Sequence, residues 1–277
     1  MMYGLELTQI IPLFALLLVI GAIAGVIAGL LGVGGGIVLV PAFYYTFTAL
    51  GYDSAQMMQI CVATSLATIV FTSVRSVLSH HKKGAVDWDI LKSWAPGIVI
   101  GAILGVLIAR QMRSENLMLI FGVLGILVGL YLAFGRENWR LGAEMPGRVT
   151  RSVIAPVLGF LSVLMGIGGG SFGVPLMTLF NRPIHRAVAT AAGFGVIIAV
   201  PSVIGFLLMG WDSPGKPPLT FGLVNMVAFV IIISMTLLTA PIGVRIAHSM
   251  NPKPLKIVFA VFIMLMALNM LRKALMG

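Results

Sequence analysis

Two stretches of this chain interrupt what would otherwise be continuous apolar helix, and they do it in the same way. Leu31-Gly-Val-Gly-Gly-Gly-Ile-Val-Leu-Val-Pro41 and Met165-Gly-Ile-Gly-Gly-Gly-Ser-Phe-Gly-Val-Pro175 each place a triple glycine five residues ahead of a proline. Glycine loosens a helix and proline removes one of its donors. In hydrocarbon a broken helix exposes backbone groups that lipid cannot satisfy. A break made twice at matching positions therefore predicts a built site, in the manner of discontinuous transporter helices.

The lipid setting follows from composition. The 277 residues are 59% hydrophobic and 9% charged, with a mean hydropathy of +1.08. The apolar runs are continuous rather than alternating, which predicts membrane helices in preference to a barrel. The net charge of +10 is assigned to basic cytoplasmic loops facing anionic lipid, with no nucleic-acid partner. Cys61, the single cysteine, excludes an internal disulfide and a cysteine metal cluster. Residues 1–9 carry Glu6 and no lysine or arginine, so the first apolar run is expected to remain in the mature protein.

The apolar runs lie near 10–31, 37–50, 56–79, 93–110, 117–134, 152–166, 171–181, 187–210, 219–244 and 255–271. Those after each hinge are too short to span a bilayer and read as half-helices. The halves repeat: 25–41 and 159–175 match at 8 of 17 positions, Val62-Ala63-Thr64 echoes Val188-Ala189-Thr190, and 102–109 echoes 240–247 in the same order. This predicts a single membrane domain made of an N-terminal repeat, 1–139, and a C-terminal repeat, 140–277. If each hinge reverses the chain into a hairpin, a half contains that hairpin plus three crossings, and the two halves are inverted. The loops at 80–92, 135–151, 182–186 and 245–256 then share one side with twelve lysines and arginines, against five on the other. Treating each broken segment as one crossing gives only ten against seven, so the positive-inside rule favours inversion. The expected fold is all-α and polytopic, with two inverted-topology repeats, each a glycine-broken hairpin of short helices plus three transmembrane helices.

A helix that starts near the bilayer centre presents free N–H groups and the positive end of its dipole, which suits an anion. Gly34, Gly35 and Gly36 in the first hinge and Gly168, Gly169, Gly170 and Ser171 in the second are the candidate binding elements. Pro41 and Pro175 are expected in the first turn of the half-helices, where no N–H is needed. Thr64 and Ser65, with Thr190 in the matching place, offer hydroxyls, and Gln59 lies a turn earlier. Arg75 near the end of its span would contact the anion, close a gate or snorkel. His185 and Arg186, His80 and Asn225 are candidates for gating or coupling. The other glycine rows, Gly101/Gly105 and Gly122/Gly125/Gly129, read as helix packing.

These hinges, together with Ala63-Thr64-Ser65, the half-repeat and the loop Ser79-His80-His81-Lys82-Lys83-Gly84-Ala85-Val86-Asp87-Trp88, resemble the sulfite exporter TauE/SafE family over roughly 10–275. The second half departs from the pattern, with Ala189-Thr190-Ala191 where Ala-Thr-Ser is usual. The resemblance implies a multi-pass protein of the bacterial inner membrane whose partner is a small inorganic or organic sulfur-containing anion. The expectation is a secondary transporter exporting sulfite or an organosulfonate by alternating access. It needs no cofactor or metal, and is compatible with a coupling proton or sodium ion and with a homodimer. The alternatives are an anion channel and a non-transporting scaffold subunit. An enzyme is not expected: Cys61 has no histidine nearby in sequence, and no His-Glu-x-x-His occurs.

Overall fold

The computed structural model describes residues 7–31, 35–135, 139–249 and 252–276. Among these residues ten α-helices follow one another: α1 Leu7–Leu31, α2 Gly36–Ala49, α3 Met57–Lys82, α4 Trp88–Gln111, α5 Ser114–Phe134, α6 Arg148–Leu164, α7 Gly170–Leu179, α8 Ile184–Leu207, α9 Met226–Ser249 and α10 Pro252–Met276. Five of these, α3, α4, α5, α8 and α9, contain stretches long and apolar enough to cross a membrane, and α3 and α8 are the most enclosed. The protein is an all-α, polytopic membrane protein.

Among the described residues one sheet occurs, a two-residue antiparallel ladder of β1 Thr220–Phe221 with β2 Val224–Asn225 in the loop before α9. Gly222, at φ 55°, turns it. Sequence periodicity could not show so short a ladder.

Both glycine hinges end a helix, as expected. An apolar groove of about 240 Å³ is lined by Leu16, Ile20 and Ile23 of α1, by Val38, Ala42 and Tyr45 of α2, and by Phe262 and Met266 of α10. Gly35 caps α2 with φ 73°, a left-handed conformation that glycine adopts without strain. At the second hinge Gly166 has φ 64° and closes α6, its N–H donating to the Val163 carbonyl at 2.9 Å.

The prolines are a correction. Pro41 and Pro175 lie inside α2 and α7, a turn deeper than expected, because the helices already begin at Gly36 and Gly170. Each therefore removes the N–H that would bond four residues back, at Ile37 and Ser171.

The helices pack so that α1 and α9 run side by side, as do α4 and α6, α3 and α8, and α5 and α10. Gly97, Gly101 and Gly105 of α4 sit against Ala155, Pro156 and Val163 of α6, in parallel order. Gly21 and Gly25 place α1 against Ile232, Met235 and Thr236 of α9, also in parallel order. Gly122, Gly125 and Gly129 face Leu271, Ala267 and Met264 in antiparallel order, so the packing assigned to these rows is what they do.

Hydrogen bonds gather the loops at two ends. At the first end Ser114 Oγ donates to the Ala55 carbonyl at 2.8 Å, and the Ser213 hydroxyl bonds Gln56, joining the loops before α3, α5 and α9. At the second end Leu141 N–H donates to the Leu179 carbonyl at 2.8 Å, and Arg182 lies 3.8 Å from Asp87. This brings the loops before α4, α6 and α8 together.

Candidate functional site

The two hinges meet in the protein interior. A side chain added at Gly36 would lie 2.5 Å from the Gly166 carbonyl and 3.0 Å from the Ile167 Cα, so backbone faces backbone. Only glycine allows that approach. Ser65 Oγ, from α3, donates to the same Gly166 carbonyl at 2.7 Å and pins the second hinge. Gly169 packs as tightly on α8, where an added Cβ would stand 2.7 Å from the Ala191 carbonyl and 2.8 Å from the Gly195 nitrogen. Gly168, Gly169 and Gly170 are all buried. Gly34 lies outside the described residues.

The start of α7 carries free donor capacity. Among the described residues, Gly173 is its first amide with a backbone acceptor, the Gly169 carbonyl at 2.8 Å. Ser171 is only 5% exposed, and its Oγ has no partner. Ser162, one turn before the hinge, is likewise buried with an unpartnered Oγ. Sequence reasoning did not single Ser162 out, since a serine near a helix end reads locally as a helix-bonding residue. Unmatched buried hydroxyls cost stability, so two of them flanking one hinge ask for an explanation. Neither surface cavity beside the hairpins, the groove above and one near Tyr52 and Glu115, has a residue of the second hinge in its lining.

The other candidates are engaged elsewhere. Thr64 Oγ1 donates to Ile60 at 2.7 Å and accepts the Asn225 N–H at 3.0 Å. Thr190 Oγ1 accepts the Asp87 N–H at 2.9 Å. Gln59 bonds the α4–α5 turn: its Nε2 donates to Met112 at 2.6 Å and Ala109 at 3.2 Å, and its Oε1 accepts from Ser114, so it ties that turn to α3. Arg75 is exposed and donates from Nη1 to the Leu237 carbonyl of α9 at 3.1 Å. His80 lies in the last turn of α3, and His185 and Arg186, both exposed, lie in the first turn of α8 at the second end. Asn225 caps α9, its Oδ1 accepting from Ala228 N–H at 2.9 Å, while Nδ2 donates to Pro218 and Thr220.

Asp87, part of the loop before α4 in the sequence pattern, does the same work for that helix, accepting from Ile90 N–H at 3.2 Å. An aspartate just before an apolar run is the signal that could have found it. Among the described residues no group of three or more His, Cys, Asp or Glu is placed to hold a metal ion.

Long apolar helices packed around two meeting glycine hinges define a helical membrane protein, and its family and relatives make it a membrane transporter rather than an enzyme. The family model for the sulfite exporter TauE/SafE matches residues 17–270, and the chain belongs to that family. A probable membrane transporter protein of Haemophilus influenzae is 28% identical over 258 residues, covering 93% of this chain and 98% of the relative. One of Methanocaldococcus jannaschii is 25% identical, covering 95% and 97%. The probable membrane transporter protein YunE of Bacillus subtilis is 31% identical over 216 residues, 71% of this chain and 79% of that one. No solved structure matches the chain significantly.

Proposed function

We propose that the protein is a secondary transporter that exports a small sulfur-containing anion, sulfite or an organosulfonate, by alternating access. The anion is held near the bilayer midplane by the amides that open α7, by Ser171 and by the facing hinge at Gly35 and Gly36. The observation that carries this reading is the buried, unpartnered Ser171 Oγ at a helix start whose first amides also lack backbone acceptors. An oxyanion supplies the acceptors that such a site lacks, and the helix dipole favours its charge.

The two halves act as inverted repeats rocking about this site. The parallel pairing of α1 with α9 and of α4 with α6 supports that reading, because α9 starts at the first end and α4 at the second. The second end carries the cation-rich loops and faces the cytoplasm of a bacterial inner membrane. A membrane potential negative inside then favours anion export.

The test is flux in proteoliposomes, with sulfite and a small alkylsulfonate as probes. Saturable flux, competition between the two anions and a thermal shift with either one are expected. Flux that rises linearly with concentration indicates a channel, and absence of both flux and thermal shift overturns the reading.

A further inference from the structure

Two hydrogen bonds connect the halves of this protein and correspond to each other position by position. Thr64 of α3 accepts the N–H of Asn225, the residue just before α9, and Thr190 of α8 accepts the N–H of Asp87, just before α4. The threonines are 126 residues apart and their partners 138 apart, the latter being the offset that relates 102–109 to 240–247. Each partner also caps its helix with its own side-chain oxygen, Asn225 to Ala228 and Asp87 to Ile90. Thus a helix of each half grips the N-terminus of the fourth long element of the other. Both threonines are fully buried.

The two contacts lie towards opposite ends. Thr64 is two turns into α3 from the first end, and Thr190 two turns into α8 from the second. The hinge site lies between them. Ser65, next to Thr64, holds the Gly166 carbonyl, and Ala191, next to Thr190, packs on Gly169. A group that breaks its grip on one cap therefore shares a helical turn with a hinge contact.

We infer that Thr64 and Thr190 are the latches of two gates, positioning residues that hold the caps of α9 and α4 shut on either side of the anion site. With both latches made, the structure is occluded. Transport releases one latch while the other holds. The gates differ in their outer reinforcement. At the first end Asn225 Nδ2 also ties down the small β-hairpin through Pro218 and Thr220, whereas at the second Asp87 faces Arg182. The Asp87–Arg182 pair is partly exposed and adds little, so the threonine bond is the element common to both gates. This inference rests on the alternating-access reading above, but its test needs no transported anion, so its failure and the failure of that reading are distinguishable.

The chain supplies its own reporters. Cys61 and Ala187 precede Thr64 and Thr190 by the same three residues, each one turn nearer its own end, and both are 0% exposed. Native Cys61 reports the first gate; Ala187→Cys in a Cys61→Ala background reports the second. An impermeant maleimide is applied to reconstituted vesicles of each orientation. Thr64→Val is expected to speed Cys61 labelling from the first end about 2- to 10-fold, the range for losing one hydrogen bond, without speeding labelling at 187. Thr190→Val does the reverse from the second end. Thr64→Ser and Thr190→Ser keep the hydroxyl and keep the wild-type rates, which separates a latch from general loosening. Where a valine variant does not yield monodisperse protein, the alanine variant is read in the same way. Acceleration of both reporters by one variant, of neither, or by the serine variants as well, overturns the inference.

Discussion

Replacing Ser171 by alanine separates binding from stability, because the two should move in opposite directions. No protein group partners the buried Ser171 hydroxyl. Such a group costs about 1–3 kcal/mol, so Ser171→Ala is expected to raise the melting temperature, by about 2–4 °C per kcal/mol for a chain of this size. The volume change is a single oxygen, which leaves the packing around α7 intact. In the anion-bound protein the same hydroxyl donates to a charged oxygen, worth about 1.5–3 kcal/mol, and its loss weakens binding about 10- to 100-fold. A thermal-shift titration with sulfite reads both effects. At an anion concentration about 100 times the wild-type Kd, the wild type gains about 2.7 kcal/mol and the variant much less. Proteoliposome flux should show the matching rise in KM. A variant that melts below the wild type without anion, while keeping its full anion-induced shift, would refute the assignment of Ser171 to the site.

The remaining predictions concern how the hinges are held. Ser65→Ala removes the donor from the buried Gly166 carbonyl and should lower the melting temperature by several degrees, from about 1–3 kcal/mol lost, as scanning fluorimetry would show. Gln59→Leu strands the Met112 carbonyl and takes one of two donors from the Ala109 carbonyl, and should destabilise by a similar amount, yet leave the sulfite Kd within about twofold in the same titration. Gly36→Ala drives a methyl against the Gly166 carbonyl and the Ile167 backbone, which cannot yield separately, and should abolish flux. Gly129→Ala meets an equally close neighbour, 2.5 Å away, but that is Met264 Cγ on a flexible side chain, so flux should survive.

What the sequence determined by itself is what local chemistry can encode. Glycine and proline act on the turn in which they sit, so the breaks after Leu31 and Met165, and the short helices that follow them, were legible from residue order alone. Hydropathy over some 20 residues fixed the membrane spans. The small-residue rows declared helix packing before any partner was known. Even here the local reading slipped where alternatives were nearly equal in energy: glycine can begin a helix, so α2 and α7 start ahead of their prolines.

The tertiary structure decided which groups each polar side chain meets. Thr64, Thr190 and Gln59 looked alike as uncommitted donors in apolar helices. Their partners are Asn225, Asp87 and Met112, at separations of 161, 103 and 53 residues. A hydroxyl in hydrocarbon must bond something, but which distant backbone group comes within 3 Å depends on how two helices cross, and no local periodicity records that. Ser171 shows the converse. Its place beside the triple glycine was plain in sequence, and only the packed interior showed that no protein atom answers its hydroxyl.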